Sequence, residues 1–161
     1  MSSEVSEMEG IDGVLVKPLL WRTDQRGSLM ELVRSDDPEL MVAPFGQVYC
    51  TTLYPGVVKG WHKHATQWDR MACVHGRVML GLVDDRPDSP TYGRSQRVFM
   101  GDRNAFVVRV PPGVWHGLKN IGEHEAFVVN VPSVAYDRAA PDEIRVAAHG
   151  VVDFDWSRVD R

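Results

Sequence analysis

Short apolar runs of four to eight residues, each closed by a glycine, proline, aspartate or asparagine signal, recur along almost the whole chain, and no other feature limits its possible folds more. They cover residues 14–17, 28–33, 47–54, 57–62, 71–75, 78–83, 105–110, 114–118 and 126–131. Turn chemistry separates them at Asp24-Gln-Arg-Gly27, Tyr54-Pro-Gly56, His75-Gly76, Pro87-Asp-Ser-Pro90, Pro111-Pro-Gly113 and Ile121-Gly122. Runs this short, rich in Val, Leu, Phe and Tyr, are strands of an all-β sandwich or barrel. Many strands in one domain must hide their edges, and closing them into a jelly roll does so while leaving a cavity at one mouth. The one helical signal is Pro141-Asp-Glu-Ile-Arg-Val-Ala-Ala148, where a proline and two acids suit a first helical turn.

The chain has 161 residues, enough to bury one core without staples. Residues 1–12 read as a flexible arm and 13–161 as the domain. Eighteen basic residues are scattered among 22 acidic ones, for a net charge of −4, which argues against a nucleic-acid partner. No apolar run approaches the ~20 residues of a membrane span, and no leader pattern opens the chain, so a cytoplasmic protein with a small-molecule partner is expected. Cys50 and Cys73 both lie in apolar runs and read as buried free thiols.

The chemistry concentrates in Gly60-Trp-His-Lys-His-Ala-Thr-Gln-Trp-Asp-Arg70. On a strand, His62 and His64 share a face and Lys63 takes the other. Asp69 and Gln67 follow, and His116 stands behind the turn at Pro111-Pro-Gly113. An imidazole takes and gives protons near neutral pH with little tuning, so His62 suits a base that removes a proton beside a ketone. Three histidines and a carboxylate (His62, His64, Asp69 and His116) also suit a divalent Fe, Mn, Ni or Zn ion. Arg70 and Arg86 could bind a sugar or phosphate or form ion pairs, with Arg86 favoured as the partner of Asp84 or Asp85. Trp61, Trp68 and Trp115 flank the histidines and serve packing first, a ligand face second.

These segments resemble the paired motifs of the cupin superfamily: His62-x-His64, four residues, Asp69, six residues, Gly76, then Pro111-x-Gly113-x-x-His116-x-x-x-Asn120. The likeness implies a double-stranded β-helix, the cupin jelly roll. From about residue 13 to 156 the chain is similar to the dTDP-4-dehydrorhamnose 3,5-epimerase family. That resemblance rests on Asp24, Arg26, Gly27 and Glu31; on Gln47; on Gly56-Val-Val-Lys-Gly-Trp-His62; on Val83-Asp-Asp-Arg86 with Ser89-Pro-Thr-Tyr-Gly93; and on Pro111-Pro-Gly-Val-Trp-His-Gly117.

It implies an epimerase or isomerase of a nucleotide-activated sugar, of the dTDP-4-keto-6-deoxy type, in carbohydrate biosynthesis. It also implies a homodimer, no cofactor and His62 as base. His116 and Tyr136 complete the expected catalytic set, with Tyr136 standing in for a family acid tyrosine whose place is held by Val129 or Asn130. Arg26, Glu31, Gln47, Lys59, His64, Gln67 and Trp115 are the expected substrate contacts. The resemblance supplies no acid to orient His62 after Phe154-Asp-Trp156. A metal-dependent cupin enzyme and a non-catalytic sugar-binding cupin are the alternatives.

Overall fold

The computed structural model of the protein describes residues 10–160. Among them are twelve strands and no α-helix: β1 (Leu15–Pro18), β2 (Trp21–Asp24), β3 (Gly27–Met30), β4 (Tyr49–Leu53), β5 (Val58–Lys63), β6 (Asp69–His75), β7 (Arg77–Asp84), β8 (Ser95–Gly101), β9 (Phe106–Val110), β10 (Val114–Asn120), β11 (Ala126–Asn130) and β12 (Ile144–Arg145). They form two five-stranded sheets, ordered β1-β9-β6-β11-β4 and β12-β5-β10-β7-β8, and a separate β2-β3 hairpin. Every pairing is antiparallel. No helix among the described residues is long and apolar enough to cross a membrane.

Two faces of alternating side chains meet to make the main core, which includes Leu53, Met71, Val78, Leu80, Leu82, Val108, Val114 and Val128. The outer face of the first sheet is covered by Leu32, Val33 and Leu40, packed on Ala72 and Val107. The outer face of the second is covered by Phe154 and Trp156, packed on Trp61 and Met79. Beneath this cover β5 and β10 run close together: a Cβ on Gly60 would lie 3.0 Å from the Gly117 Cα. That approach brings His62 opposite His116 in the strand register, next to a bulge between His116 and Leu118.

Several expectations change. The 141–148 segment is not helical: Ile144 and Arg145 pair with Lys63 and His62, because this stretch is held by long-range hydrogen bonds to β5 and the turn after it. Strand β8 goes beyond the expected set; Gln96 and Arg97 interrupt its apolar content, while Val98 and Met100 keep the alternating inward pattern. Of the expected arm, residues 1–9 lie outside the described residues, but Ile11 is buried in the core and Asp12 donates its amide to Thr91 Oγ1, 2.9 Å away. Cys73 is buried and its thiol pKa is pushed up to about 11 by desolvation. Cys50 is exposed, on the edge strand β4.

Candidate active site

The open mouth of the roll is a cavity of about 750 Å³, within the range of small-molecule sites. Both sheets wall it: Gln47, Tyr49, Thr51, Val128 and Asn130 from one side, Lys59, His62, His64 and His116 from the other, with Tyr136, Glu143 and Arg145 at the rim. Lys63 turns away, as strand alternation requires, to pair with Asp85 and lie 4.4 Å from the Trp115 ring.

His62 is held by Glu143, whose Oε1 lies 2.5 Å from the imidazole Nδ1. Arg145 Nε donates to the other carboxylate oxygen at 2.8 Å, and its Nη2 forms an ion pair with the same oxygen at 2.7 Å. Burial would raise the Glu143 pKa, but the bonds from Arg145 and His62 outweigh it and hold the carboxyl below its ordinary value. An ionised Glu143 only accepts, so Nδ1 carries the hydrogen and Nε2 presents its lone pair as a base. His62 therefore has the acidic partner that the sequence reading left missing. Glu143 comes from the stretch mistaken for a helix start, 81 residues further along.

The same stretch fixes the loop after β5. The Asp142 carboxylate accepts from the backbone N–H groups of Ala65, Thr66 and Gln67 at 2.7, 2.8 and 2.9 Å and from Thr66 Oγ1 at 2.7 Å. Although partial burial opposes it, these bonds lower the Asp142 pKa to about 2. The Asp142 carbonyl accepts from His64 Nδ1.

His64, Asp69 and His116 form a separate buried cluster: both Nε2 atoms lie 3.3 Å from the same oxygen, Asp69 Oδ2. Asp69 Oδ1 accepts from Gln67 at 2.9 Å and from Asn130 at 2.7 Å. Burial opposes charge on His64 and Asp69 alike. Their mutual attraction overrides it, raising the His64 pKa and lowering that of Asp69, while His116 is pushed down by desolvation. His116 Nδ1 donates to the Val114 carbonyl, 3.1 Å away. With both Nδ1 hydrogens directed at carbonyls, both Nε2 atoms face Asp69, and the cluster accommodates either a proton on His64 or a divalent cation among three ligands. His62 does not belong to that set. Its ring nitrogens are not among the converging ligand atoms, so among the described residues the expected four-ligand centre reduces to three residues.

The other expected contacts divide. Gln47, Lys59 and Gln67 line the cavity. Lys59 Nζ donates to Thr51 Oγ1 at 3.1 Å, and Gln47 Oε1 accepts from the Tyr136 amide at 3.2 Å. Trp115 is not in the lining; it alternates with His116 and faces the other side of β10. Arg26 and Glu31 also lie outside the cavity of this chain, on the exposed hairpin and just after it, paired with Asp24 and Arg34. Arg70 is a structural residue, 1% exposed, donating to the carbonyls of Leu40, Ala43, Pro44 and Val131. Arg86 pairs with the buried Asp84 at 2.8 Å. Of Val129 and Asn130, the two residues expected at the place of an acid tyrosine, Asn130 lines the cavity, and its side chain bonds Tyr49 Oη at 2.9 Å. Tyr49 and Glu143 are the site residues the sequence reading missed.

Two antiparallel sheets closing over a histidine-lined mouth define a jelly-roll protein of the cupin class. Within that class the chain belongs to the dTDP-4-dehydrorhamnose 3,5-epimerase family, whose sequence profile matches residues 9–160. It is 42% identical over 140 residues to a probable low-salt glycan biosynthesis epimerase of Haloferax volcanii, covering 86% of this chain and 89% of that protein. It is 36% identical over 148 residues to the spore coat polysaccharide biosynthesis protein SpsL of Bacillus subtilis, covering 91% and 97%. The crystal structure of a dTDP sugar isomerase from Desulfovibrio desulfuricans superposes with a TM-score of 0.85 at 27% identity, over 93% of this chain and 94% of that one.

Proposed function

We propose that the protein is an epimerase of a nucleotide-activated 4-keto-6-deoxy sugar serving glycan biosynthesis. The observation that carries this reading is the His62–Glu143 pair at the wall of a cavity large enough for a sugar. Removing a proton beside a ketone needs a base, positive charge or hydrogen-bond donors for the enolate oxygen, and an acid on the opposite face. His62 Nε2 takes the proton, and Glu143 stabilises the imidazolium that forms. Lys59 and His64, the latter with its raised pKa, supply positive character to the substrate. Tyr136 and Tyr49 are phenols in the cavity lining. The membership of the chain in the 3,5-epimerase family supports a dTDP-linked 4-keto substrate.

A homodimer fits the same reading. Among the described residues the β2-β3 hairpin pairs only with itself and exposes Trp21 and Leu29, and a lone hairpin has little stability without a covering surface. Docked across a two-fold axis, it would carry Arg26 towards a neighbouring cavity. A metal-dependent reaction is the second reading, favoured by the convergence of His64, Asp69 and His116.

Incubation with dTDP-4-keto-6-deoxyglucose in D2O tests the proposal. Deuterium at C3 or C5 is expected by NMR; a substrate that stays fully protonated at both carbons would refute it.

A further inference from the structure

His62 and Tyr49 line the site from different sheets. His62 belongs to β5, in the sheet β12-β5-β10-β7-β8, whereas Tyr49 opens β4, the edge of the sheet β1-β9-β6-β11-β4. Both line the cavity. A sugar ring lying between the sheets thus has an imidazole on one face and a phenol on the other, the arrangement that inversion of a carbon centre requires.

The surroundings of the phenol suit proton donation. Tyr49 is the register partner of Asn130 on β11, and Asn130 Nδ2 is 2.9 Å from Tyr49 Oη. The amide can only donate at that atom, so the phenol oxygen accepts and its own O–H remains for a ligand. Asn130 is in turn held by Asp69 Oδ1, 2.7 Å away, and is 3% exposed, so the donor is fixed in place. A phenol is protonated at neutral pH, and desolvation shifts the Tyr49 pKa further upward. Tyr136 lacks the Asn130 contact: it follows β11 and is tied to Gln47 through its backbone amide, although the two phenols are similarly exposed, 45% for Tyr49 and 51% for Tyr136.

We propose that Tyr49 is the general acid of the epimerisation, protonating the carbon on the face opposite His62. This assignment rests on the epimerase reading above. In the first half-reaction the C–H bond breaks, its proton goes to His62 Nε2, and its electron pair forms the enolate with the carbonyl oxygen. In the second, the enolate pair forms a new C–H bond with the Tyr49 proton and the carbonyl re-forms. The phenolate keeps the Asn130 N–H bond until solvent reprotonates it, and the His62 imidazolium returns its proton to solvent.

Exchange and inversion separate the steps. In D2O, Tyr49→Phe should still place deuterium at the carbon through His62, within about tenfold of wild type, because the base can return a solvent-exchanged proton to the original face. Formation of inverted product should fall by about 10²- to 10⁴-fold, the usual range for a positioned acid. Inversion at the wild-type rate in Tyr49→Phe would overturn the assignment. So would equal loss of exchange and inversion, which would make Tyr49 a binding or packing residue, and so would exchange without inversion arising in Tyr136→Phe instead. If the wild type exchanges no carbon-bound proton, the epimerase reading itself fails and the assignment with it.

Discussion

Replacing Glu143 by glutamine keeps the shape of the His62 contact but removes its charge. The distance of 2.5 Å and the exposures of 29% for His62 and 13% for Glu143 place the pair in a partly screened setting. Unit charges about 4 Å apart attract by about 4 kcal/mol at an effective dielectric of about 20, and exposure to water reduces that. A charge-assisted hydrogen bond is typically worth about 1.5–3 kcal/mol. That stabilisation appears only when His62 takes the proton, so it should be lost from the transition state and not from substrate binding. At about 1.4 kcal/mol per tenfold, Glu143→Gln should slow proton abstraction about 10- to 150-fold with KM nearly unchanged. The amide can also rotate to donate towards Nδ1, placing the hydrogen on Nε2 and disabling the base, which pushes the loss to the upper end of that range. NMR of initial deuterium uptake at saturating sugar nucleotide measures it. A rate within twofold of wild type, with folded protein by circular dichroism, would refute the orienting role.

The depressed Asp142 pKa makes stability pH-dependent: the contribution is present above about pH 4 and lost as pH falls towards about 2. Asp142→Asn should cost about 1–2 kcal/mol in urea unfolding at pH 7, after discounting for solvent, and should flatten the acid limb between those values. Arg70→Met should lose about 3–5 kcal/mol, since it strips the partner from several buried carbonyls; an unchanged urea midpoint would show that they find other donors. Light scattering at micromolar concentration should give twice the chain mass of 18.1 kDa, and Trp21→Glu with Leu29→Glu should return the monomer; a wild-type monomer would count against the hairpin contact.

The strand pattern was legible because both faces of each sheet are enforced by burial. The alternation of His62 and His64 against Lys63 placed all three side chains correctly, and the turn signals at Gly76 and Pro111-Pro-Gly113 fell between the strands they separate. Glu143 was not legible. Its role comes from the pairing of β12 with β5, a two-residue strand whose local sequence favours a helix start until Asp142 is engaged by the Ala65–Gln67 amides. Tyr49 was hidden for a related reason, since only the register of β4 with β11 sets it against Asn130. Trp115 was assigned to the cavity by proximity to His116, although neighbouring residues on a strand point to opposite faces. Arg70 was ambiguous because a buried guanidinium binding backbone carbonyls and one awaiting an anion look alike in sequence.

The most direct test is the rate of deuterium uptake from D2O into dTDP-4-keto-6-deoxyglucose by chelator-treated wild type, His62→Asn and His64→Asn. A base at His62 predicts uptake by the chelated wild type, a loss of at least about 10³-fold in His62→Asn, and substantial exchange remaining in His64→Asn. Uptake abolished by chelation and restored by Fe(II), Mn(II) or Zn(II), or undiminished in His62→Asn, would contradict the account.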